Sequence, residues 1–119
     1  SRIPRLFDGE LPNFNLGTNS GASCSPELTA GVEAACDAST FSRVTNGRFK
    51  GGWTTRHYGR PNDGVHAIQM ELACRGYMDD PADPPTPGAW PTPYFDAQAA
   101  PMRAVLTNVL KASVAFAQA

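Results

Sequence analysis

Residues 65–74 read VHAIQMELAC, and this stretch decides the fold class of the chain. The run is mostly apolar, which is typical of a central strand that is covered on both faces of a sheet. Because side chains alternate across a strand, Met70 and Leu72 fall on one face while Gln69 and Glu71 fall on the other. The segment therefore predicts a central strand that carries one carboxylate, Glu71, among apolar residues.

A helix and further strands are predicted before this segment. Ser25 has the character of a helix N-cap, and Pro26 suits the first helical position. Apolar residues at helical spacing follow, so we expect the helix to end near Ala38. Two later segments are rich in β-favouring residues, which predicts extended structure at Phe41–Phe49 and at Trp53–Tyr58.

The C-terminal third combines a Pro-rich segment with a helix. Asp79–Pro93 is predicted to be a surface loop or lid, because proline interrupts regular structure. Asp96 is expected to cap the last helix, and Pro101 is tolerated only near the start of that helix. Its apolar stripe should pack on the sheet and consists of Met102, Val105, Leu106, Val109, Leu110 and Phe116. The alternation of strands and helices predicts an α/β fold, with residues 1–119 forming a single unit.

Composition excludes several classes of function. The 10 basic and 11 acidic residues nearly balance, which argues against nucleic-acid or membrane-surface binding driven by bulk charge. No apolar run approaches the roughly 20 residues that span a bilayer. The 3 cysteines lack CxxC spacing and fit reduced thiols in a cytoplasmic protein better than a disulfide framework.

Glu71 is the first candidate for chemistry. A carboxylate on an apolar strand is costly to desolvate unless it is paired or lines a cavity. The small side chains of Ala67 and Ala73 share its face and leave room for a ligand. Glu71 is therefore a candidate general base. The alternative is a structural ion pair with Arg56 or Arg75.

The second candidate is the Gly-rich segment 46–59, NGRFKGGWTTRHYG, which holds the cations Arg48, Lys50 and Arg56. Glycine lets the backbone approach a ligand closely, and the planar guanidinium of arginine binds carboxylates through two parallel hydrogen bonds. The segment predicts a site for a small anionic substrate. Solvated surface charge is the alternative explanation.

The sequence offers no metal site of its own. His57 and His66 are the only histidines, and neither belongs to an HExxH motif. His66 is expected at the core or at a sheet edge, whereas His57 could border a pocket. The two cannot form a zinc site with three protein ligands without carboxylates that nothing in the sequence selects.

Three segments resemble the C-terminal half of N-formylglutamate deformylase, also called N-formylglutamate amidohydrolase. They are IPRLFDGELPNFNLGTN at 3–19, the Gly-rich segment 46–59, and GVHAIQMELACRGYM at 64–78. The resemblance covers nearly the whole chain in the same order. It implies a mixed α/β sheet like that of zinc carboxypeptidases and aspartoacylases, a phosphorylase/hydrolase-like fold. It also implies hydrolysis of N-formyl-L-glutamate to formate and L-glutamate in histidine degradation.

The same resemblance implies roles for individual residues. A catalytic zinc would polarise the formyl carbonyl and activate water. Met70-Glu71-Leu72 matches the family motif of the catalytic carboxylate, so Glu71 would take the proton of water and pass it to the leaving amine. Arg56 would bind a substrate carboxylate. Weaker or supporting contacts are implied for Arg48, Lys50, Asn46 and Tyr58.

The chain also departs from the family pattern. The zinc ligands of the family lie in a His/Glu motif and in an Asp-x-His-Ser segment, both expected upstream of Ser1. We therefore expect this polypeptide alone to bind no catalytic zinc and to hydrolyse nothing, and to associate through the face where the missing half belongs. Two alternatives stay open, a related zinc N-acyl-amino-acid amidohydrolase and a non-catalytic module that binds a carboxylate or a protein.

Overall fold

The computed structural model describes residues 1–82 and 86–119. These residues form a three-stranded mixed sheet and helices, which confirms the α/β prediction. The sheet order is β2-β1-β3, with β1 parallel to β2 and antiparallel to β3. The elements in chain order are β1 Phe14–Gly17, α1 Pro26–Asp37, β2 Arg43–Thr45, α2 Trp53–Tyr58, β3 Gln69–Leu72 and α3 Asp96–Gln118.

β1 is the central strand of this sheet, and all its residues are buried. The prediction that residues 65–74 form the central strand is wrong, because β3 is shorter and lies at an edge of the sheet in the described part of the chain. Before β3, the backbone of Ala67 bonds to the carbonyl of Ser23 at 2.8 Å instead of joining the sheet. After β3, a tight turn begins at Cys74.

The predicted alternation within Gln69–Leu72 is confirmed and gives the sheet two distinct faces. In the β1–β3 register, Phe14 lies opposite Leu72 and Leu16 opposite Met70, while Asn15 lies opposite Glu71 and Gly17 opposite Gln69. We define the core face by the first four residues, which belong to or pack against the hydrophobic core. We define the site face by Asn15, Gly17, Gln69 and Glu71.

α1 follows the sequence prediction closely. Ser25 is the N-cap, and its hydroxyl accepts a hydrogen bond from the Leu28 backbone at 3.3 Å. The helix ends at Asp37, with Ala38 as C-cap. Its buried side chains Leu28, Val32 and Cys36 recur at helical spacing and join the core.

The start of α3 differs from the prediction. Phe95 occupies the N-cap position, so Asp96 is the first helical residue rather than the cap. The Asp96 carboxylate instead pairs with Arg103 at 2.7 Å. Pro101 lies in the second turn of the 23-residue helix, near its start as expected.

The predicted apolar stripe of α3 is largely buried. Met102, Val105 and Val109 are core residues, but Leu110 is 67% exposed, so its place in the stripe was wrong. α3 packs mainly against α1 rather than directly on the sheet, and the two helices share one core with β1. Among the described residues, none of the helices is long and apolar enough to cross a bilayer.

The predicted strands between α1 and β3 are mostly absent from the described structure. Only Arg43–Thr45 of the segment 41–49 is extended, and Asn46, at a φ of 53°, ends the strand. Trp53–Tyr58 forms a short helix that follows Gly51, whose φ is 117°. β-propensity measures how a residue fits a pleated surface, and the turn geometry overrides it here.

The Pro-rich segment 79–93 is a loop in its described parts. Residues 83–85, which the prediction also covered, lie outside the described residues. The remainder is mostly exposed and contains a short turn of 3-10 helix at Pro87–Ala89.

Candidate active site

Residues 47–52, here called the cationic loop, lie against the C-terminal end of β1. A Cβ at Gly17 would approach the backbone nitrogen of Gly51 to 2.5 Å, so glycine is needed for this close approach. The Asn19 backbone donates a hydrogen bond to the Lys50 carbonyl at 2.6 Å. The loop is therefore fixed to the central strand through its backbone.

Asn15 provides the second attachment of the cationic loop. Its side chain is 3% exposed and accepts a hydrogen bond from the Phe49 backbone N–H at 3.1 Å. The same amide donates to the Phe49 carbonyl at 2.6 Å. Sequence reasoning missed Asn15, although a polar residue alternating with Phe14 and Leu16 was the available signal.

The cationic loop and α2 bring together the three predicted cations. Arg48, Lys50 and Arg56 line an open cleft of about 380 Å³, together with Phe49, Gln69 and the glycines at 51 and 52. We call it the cationic cleft. All three cations are exposed.

Backbone carbonyls position two of the three cations of the cleft. A guanidinium nitrogen of Arg56 donates to the Gly51 carbonyl at 2.7 Å. Arg48 donates from Nε to the Leu6 carbonyl at 2.9 Å. Within residues 1–82 and 86–119, none of the three cations forms an ion pair with a carboxylate. The cleft can therefore bind an external anion through charge-assisted hydrogen bonds.

Glu71 lies in a second cavity of about 260 Å³. This cavity, the Glu71 pocket, is also lined by Asn15, Phe49, Ala73 and Cys74. The carboxylate is half-buried, and its Oε2 accepts a hydrogen bond from Gln69 Nε2 at 2.8 Å.

The alternative ion pair of Glu71 is not seen. No contact of 4.0 Å or less joins Glu71 to Arg56 or Arg75 in the part of the chain that the structure describes. Arg75 instead lies 3.7 Å from Glu10.

The two cavities adjoin. Phe49 lines both of them. Gln69 lines the cationic cleft and at the same time contacts Glu71 in its pocket. A carboxylate that can accept a proton thus lies beside a cluster of cations, on one face of the sheet.

Asn46 lies outside this arrangement. Its Oδ1 accepts from the Thr18 backbone N–H at 2.9 Å, and its Nδ2 donates to Thr18 Oγ1 at 2.8 Å. These bonds hold the chain that leaves β1, and Asn46 lines a different cavity beside α1. The structure gives its side chain a structural role.

Tyr58 is also not among the residues that line the cationic cleft. Its ring packs edge-on against His57 at 4.7 Å and against Trp53 at 6.0 Å between centroids. Trp53 and Tyr58 are both exposed on α2. The three rings form an aromatic surface next to Arg56.

The described residues do not form a metal site. No group of three or more His, Cys, Asp or Glu side chains is placed to hold an ion among residues 1–82 and 86–119. His66 accepts a hydrogen bond at Nδ1 from the Ser25 backbone at 3.1 Å and packs edge-on against Phe116 at 4.9 Å. His66 is therefore partly buried beside α3, and it belongs neither to the hydrophobic core nor to a described strand, contrary to the prediction.

Comparison with known proteins identifies the family. The family model described as N-formylglutamate amidohydrolase matches residues 1–78. This chain belongs to the N-formylglutamate amidohydrolase family. The matched range contains the cationic cleft and Glu71, while α3 lies beyond it.

Two relatives carry the name N-formylglutamate deformylase. The protein of Pseudomonas aeruginosa is 52% identical over 111 residues, which cover 92% of this chain and 40% of the relative. That of Pseudomonas putida is 46% identical over 117 residues, or 98% of this chain and 41% of the relative. The chain thus spans about two fifths of the length of these relatives.

A solved structure supports the fold of this family member. The crystal structure of N-formylglutamate amidohydrolase from Ralstonia eutropha JMP134 superposes with a TM-score of 0.71 at 21% identity. The match covers 90% of this chain and 35% of that one. At this identity the likeness shows that the two chains share a fold.

Proposed function

We propose that the full-length protein containing this chain hydrolyses N-formyl-L-glutamate to formate and L-glutamate. The observation that carries the proposal is the adjacency of Glu71 to three cations without carboxylate partners in the described residues. Membership of the family and the names of two relatives support the reaction. This chain would supply the proton-transfer carboxylate and the binding site for the substrate's carboxylates.

Substrate binding follows from the charges of the cleft. N-formyl-L-glutamate carries two carboxylates, which suit a site with several cations. One N–H of Arg56 is hydrogen-bonded to the Gly51 carbonyl, and the rest of its five donors can bind a ligand. We assign Arg56 to a substrate carboxylate, with Arg48 and Lys50 as supporting charges. Asn46 and Tyr58 are not part of the proposed site.

Glu71 would move the proton. Water attacks the formyl carbon, the C–N bond breaks, and the amine nitrogen gains the proton that water lost, so formate and the amino acid leave. Gln69 binds Oε2 of Glu71, and in the described residues no partner is bound to Oε1. Oε1 can accept the proton of water and return it to the nitrogen, which is general base and then general acid catalysis.

Zinc dependence and a zinc-carboxypeptidase-like sheet remain part of the proposal. The described residues do not fit a zinc site by themselves. We place the ligands in the remainder of the full-length protein, since the chain spans only 40% of its relative from P. aeruginosa. The 119-residue chain alone should then contain no stoichiometric zinc and release no formate, which metal analysis and a formate assay on that polypeptide would check.

We also propose how the chain associates with the rest of its protein and where in the cell the protein is located. We expect it to form one unit with the remainder of its protein, associating through the sheet edges at β2 and β3, because unpaired strand edges favour pairing. The free thiols of Cys24, Cys36 and Cys74 support a cytoplasmic location, where thiols stay reduced.

The test compares three substrates on the full-length protein. Initial rates with N-formyl-L-glutamate, N-formyl-L-aspartate and N-acetyl-L-aspartate should give the highest kcat/KM for the first. A higher value for N-acetyl-L-aspartate would instead identify a related N-acyl-amino-acid amidohydrolase. Binding of L-glutamate without turnover of any substrate would identify a carboxylate-binding module and refute the hydrolase.

A further inference from the structure

The side-chain amide of Gln69 connects the two cavities of the site. Its Oε1 accepts a hydrogen bond from the Gly52 backbone N–H at 2.5 Å. Its Nε2 donates to Oε2 of Glu71 at 2.8 Å. Gly52 is the residue from which α2 begins, and α2 carries Arg56 into the cationic cleft.

The orientation of this amide is dictated by its partners. A backbone N–H can only donate, and an ionised carboxylate can only accept. Turning the amide over would place its NH₂ group against the Gly52 N–H and its oxygen against the Glu71 carboxylate. Both contacts would then be repulsive, so only one orientation of Gln69 satisfies Gly52 and Glu71 together.

We propose that Gln69 is a positioning residue that fixes the Glu71 carboxylate and sets its separation from the cationic cleft. This inference rests on the proposed hydrolase function. In the described residues, the bond from Gln69 is the one hydrogen bond made to the Glu71 carboxylate, so its loss frees the carboxylate to rotate. Misplacing a catalytic group lowers the rate even where substrate binding persists.

The cationic loop does not depend on Gln69 for its fold. Asn15 holds Phe49 through two hydrogen bonds, and Asn19 holds the Lys50 carbonyl. Gly17 packs directly against the backbone of the loop. Substitution of Gln69 should therefore change the geometry of the site and leave the loop folded.

Two variants of the full-length protein distinguish the two hydrogen bonds of the Gln69 side chain. We call this pair of bonds, to the Gly52 backbone and to the Glu71 carboxylate, the bridge. Gln69→Glu keeps an acceptor for Gly52 but removes the donor to Glu71 and adds a like charge beside it. We expect kcat on N-formyl-L-glutamate to fall roughly tenfold to a hundredfold, since a hydrogen bond to a charged group is lost. KM should rise in this variant because residue 69 lines the cationic cleft, where a new carboxylate opposes binding of an anionic substrate. Gln69→Met loses both contacts, so kcat should fall by a similar factor and KM should also rise.

Gln98 supplies the matched control. Its Nε2 donates to the Asp79 carboxylate at 3.1 Å, which is the same kind of amide–carboxylate contact on the exposed start of α3. Gln98→Glu and Gln98→Met should leave kcat and KM near the parent values. A kcat within about twofold of the parent in either Gln69 variant would overturn the positioning role.

Hydrogen exchange tests the bridge without turnover. Exchange of the Gly52 amide should accelerate in Gln69→Met and stay slow in Gln69→Glu, whereas Glu71→Ala should accelerate exchange of the Gln69 side-chain amide. Unchanged exchange in all three variants would refute the bridge. A parent protein that does not turn over N-formyl-L-glutamate would refute the proposed function, and the exchange rates would then decide the bridge by themselves.

Discussion

The two faces of β1 are equally inaccessible to solvent and chemically opposite. On the core face, Phe14 and Leu16 are 0% exposed and are covered by apolar side chains of the helices. On the site face, Asn15 is 3% exposed but is covered by the backbone of the cationic loop. Burial alone therefore does not distinguish a core from a site, whereas the chemistry of the covering groups does.

This division predicts that the two faces respond differently to substitution. Changes on the core face should lower the free energy of unfolding and leave the kinetic constants of the folded protein intact. Changes on the site face should alter kcat or KM. Variants on the two faces test that separation in the full-length protein, and variants of Arg56 on α2 and Asp37 on α1 compare them with the cationic cleft and with a position remote from both faces. They are given from the largest expected effect to the smallest.

Phe14→Ala should have the largest effect on stability. Removing a fully buried aromatic side chain costs about 3–5 kcal/mol through lost burial and an unfilled cavity. Urea unfolding measures this loss, and KM should stay within about twofold of the parent. Phe95, which is 52% exposed, gives the control Phe95→Ala, expected within about 0.5 kcal/mol of the parent. Equal destabilisation by both variants would contradict the assignment of the core face.

Arg56→Ala should raise KM for N-formyl-L-glutamate about tenfold to a hundredfold, because a hydrogen bond between charged groups is lost. The kcat should change by less than about threefold, since Arg56 would bind the ground and transition states alike. Arg60→Ala is the matched control, because Arg60 is exposed and pairs with Asp63 at 3.4 Å outside the cleft. KM is measured by steady-state kinetics. If Arg60→Ala raises KM as much as Arg56→Ala does, the assignment of Arg56 to the substrate site is wrong.

Gly17→Ala should displace the cationic loop. Its Cβ would lie 2.5 Å from the Gly51 nitrogen, and relieving such overlap costs about 1–3 kcal/mol. Thermal or urea unfolding should report the loss, and KM should rise. Gly31 lies inside α1, and within the described residues the nearest atom outside this helix to an added Cβ is the Cβ of Ala112 at 3.9 Å. In the control Gly31→Ala, the free energy of unfolding should therefore rise by about 0.5–1 kcal/mol and KM should not change.

Asp37→Asn should have the smallest effect, a small loss of stability at neutral pH that disappears as the pH falls and the parent carboxylate is protonated. The hydrogen bond from Arg43 at 2.8 Å lowers the pKa of Asp37 below its usual range. A depressed folded-state pKa contributes stability above the unfolded pKa, and this stability is lost as pH falls through the folded value. Urea unfolding between pH 2 and pH 7 should show a weaker acid dependence in the variant. If the free energy of unfolding falls as steeply with decreasing pH in the variant as in the parent, and kcat is also unchanged, then the Asp37–Arg43 pair adds no stability.

Local patterns were sufficient to predict several features. Alternation in Gln69–Leu72 placed Glu71 opposite the core face, and capping chemistry placed the start of α1 at Ser25. The clustering of Arg48, Lys50 and Arg56 followed from their closeness in the chain. Each of these depends on residues that lie within about eight positions of one another in the sequence.

Other features depend on contacts between distant segments. The central position of β1 comes from pairing with both β2 and β3, which a strand's own sequence does not specify. The helix at Trp53–Tyr58 forms beside a loop that Asn15 and Gly17 hold in place. The role of Gln69 likewise needs the Gly52 backbone, 17 residues away in sequence, at its side chain.

The kcat of Glu71→Gln in the full-length protein tests the central claim most directly. With N-formyl-L-glutamate as substrate, loss of the general base should lower kcat by about 10²–10⁴, while L-glutamate binding persists. Glu27→Gln, at an exposed carboxylate in the first turn of α1, is the matched control and should retain parent activity. A Glu71→Gln kcat within about threefold of the parent would contradict the assignment of Glu71 as the catalytic carboxylate.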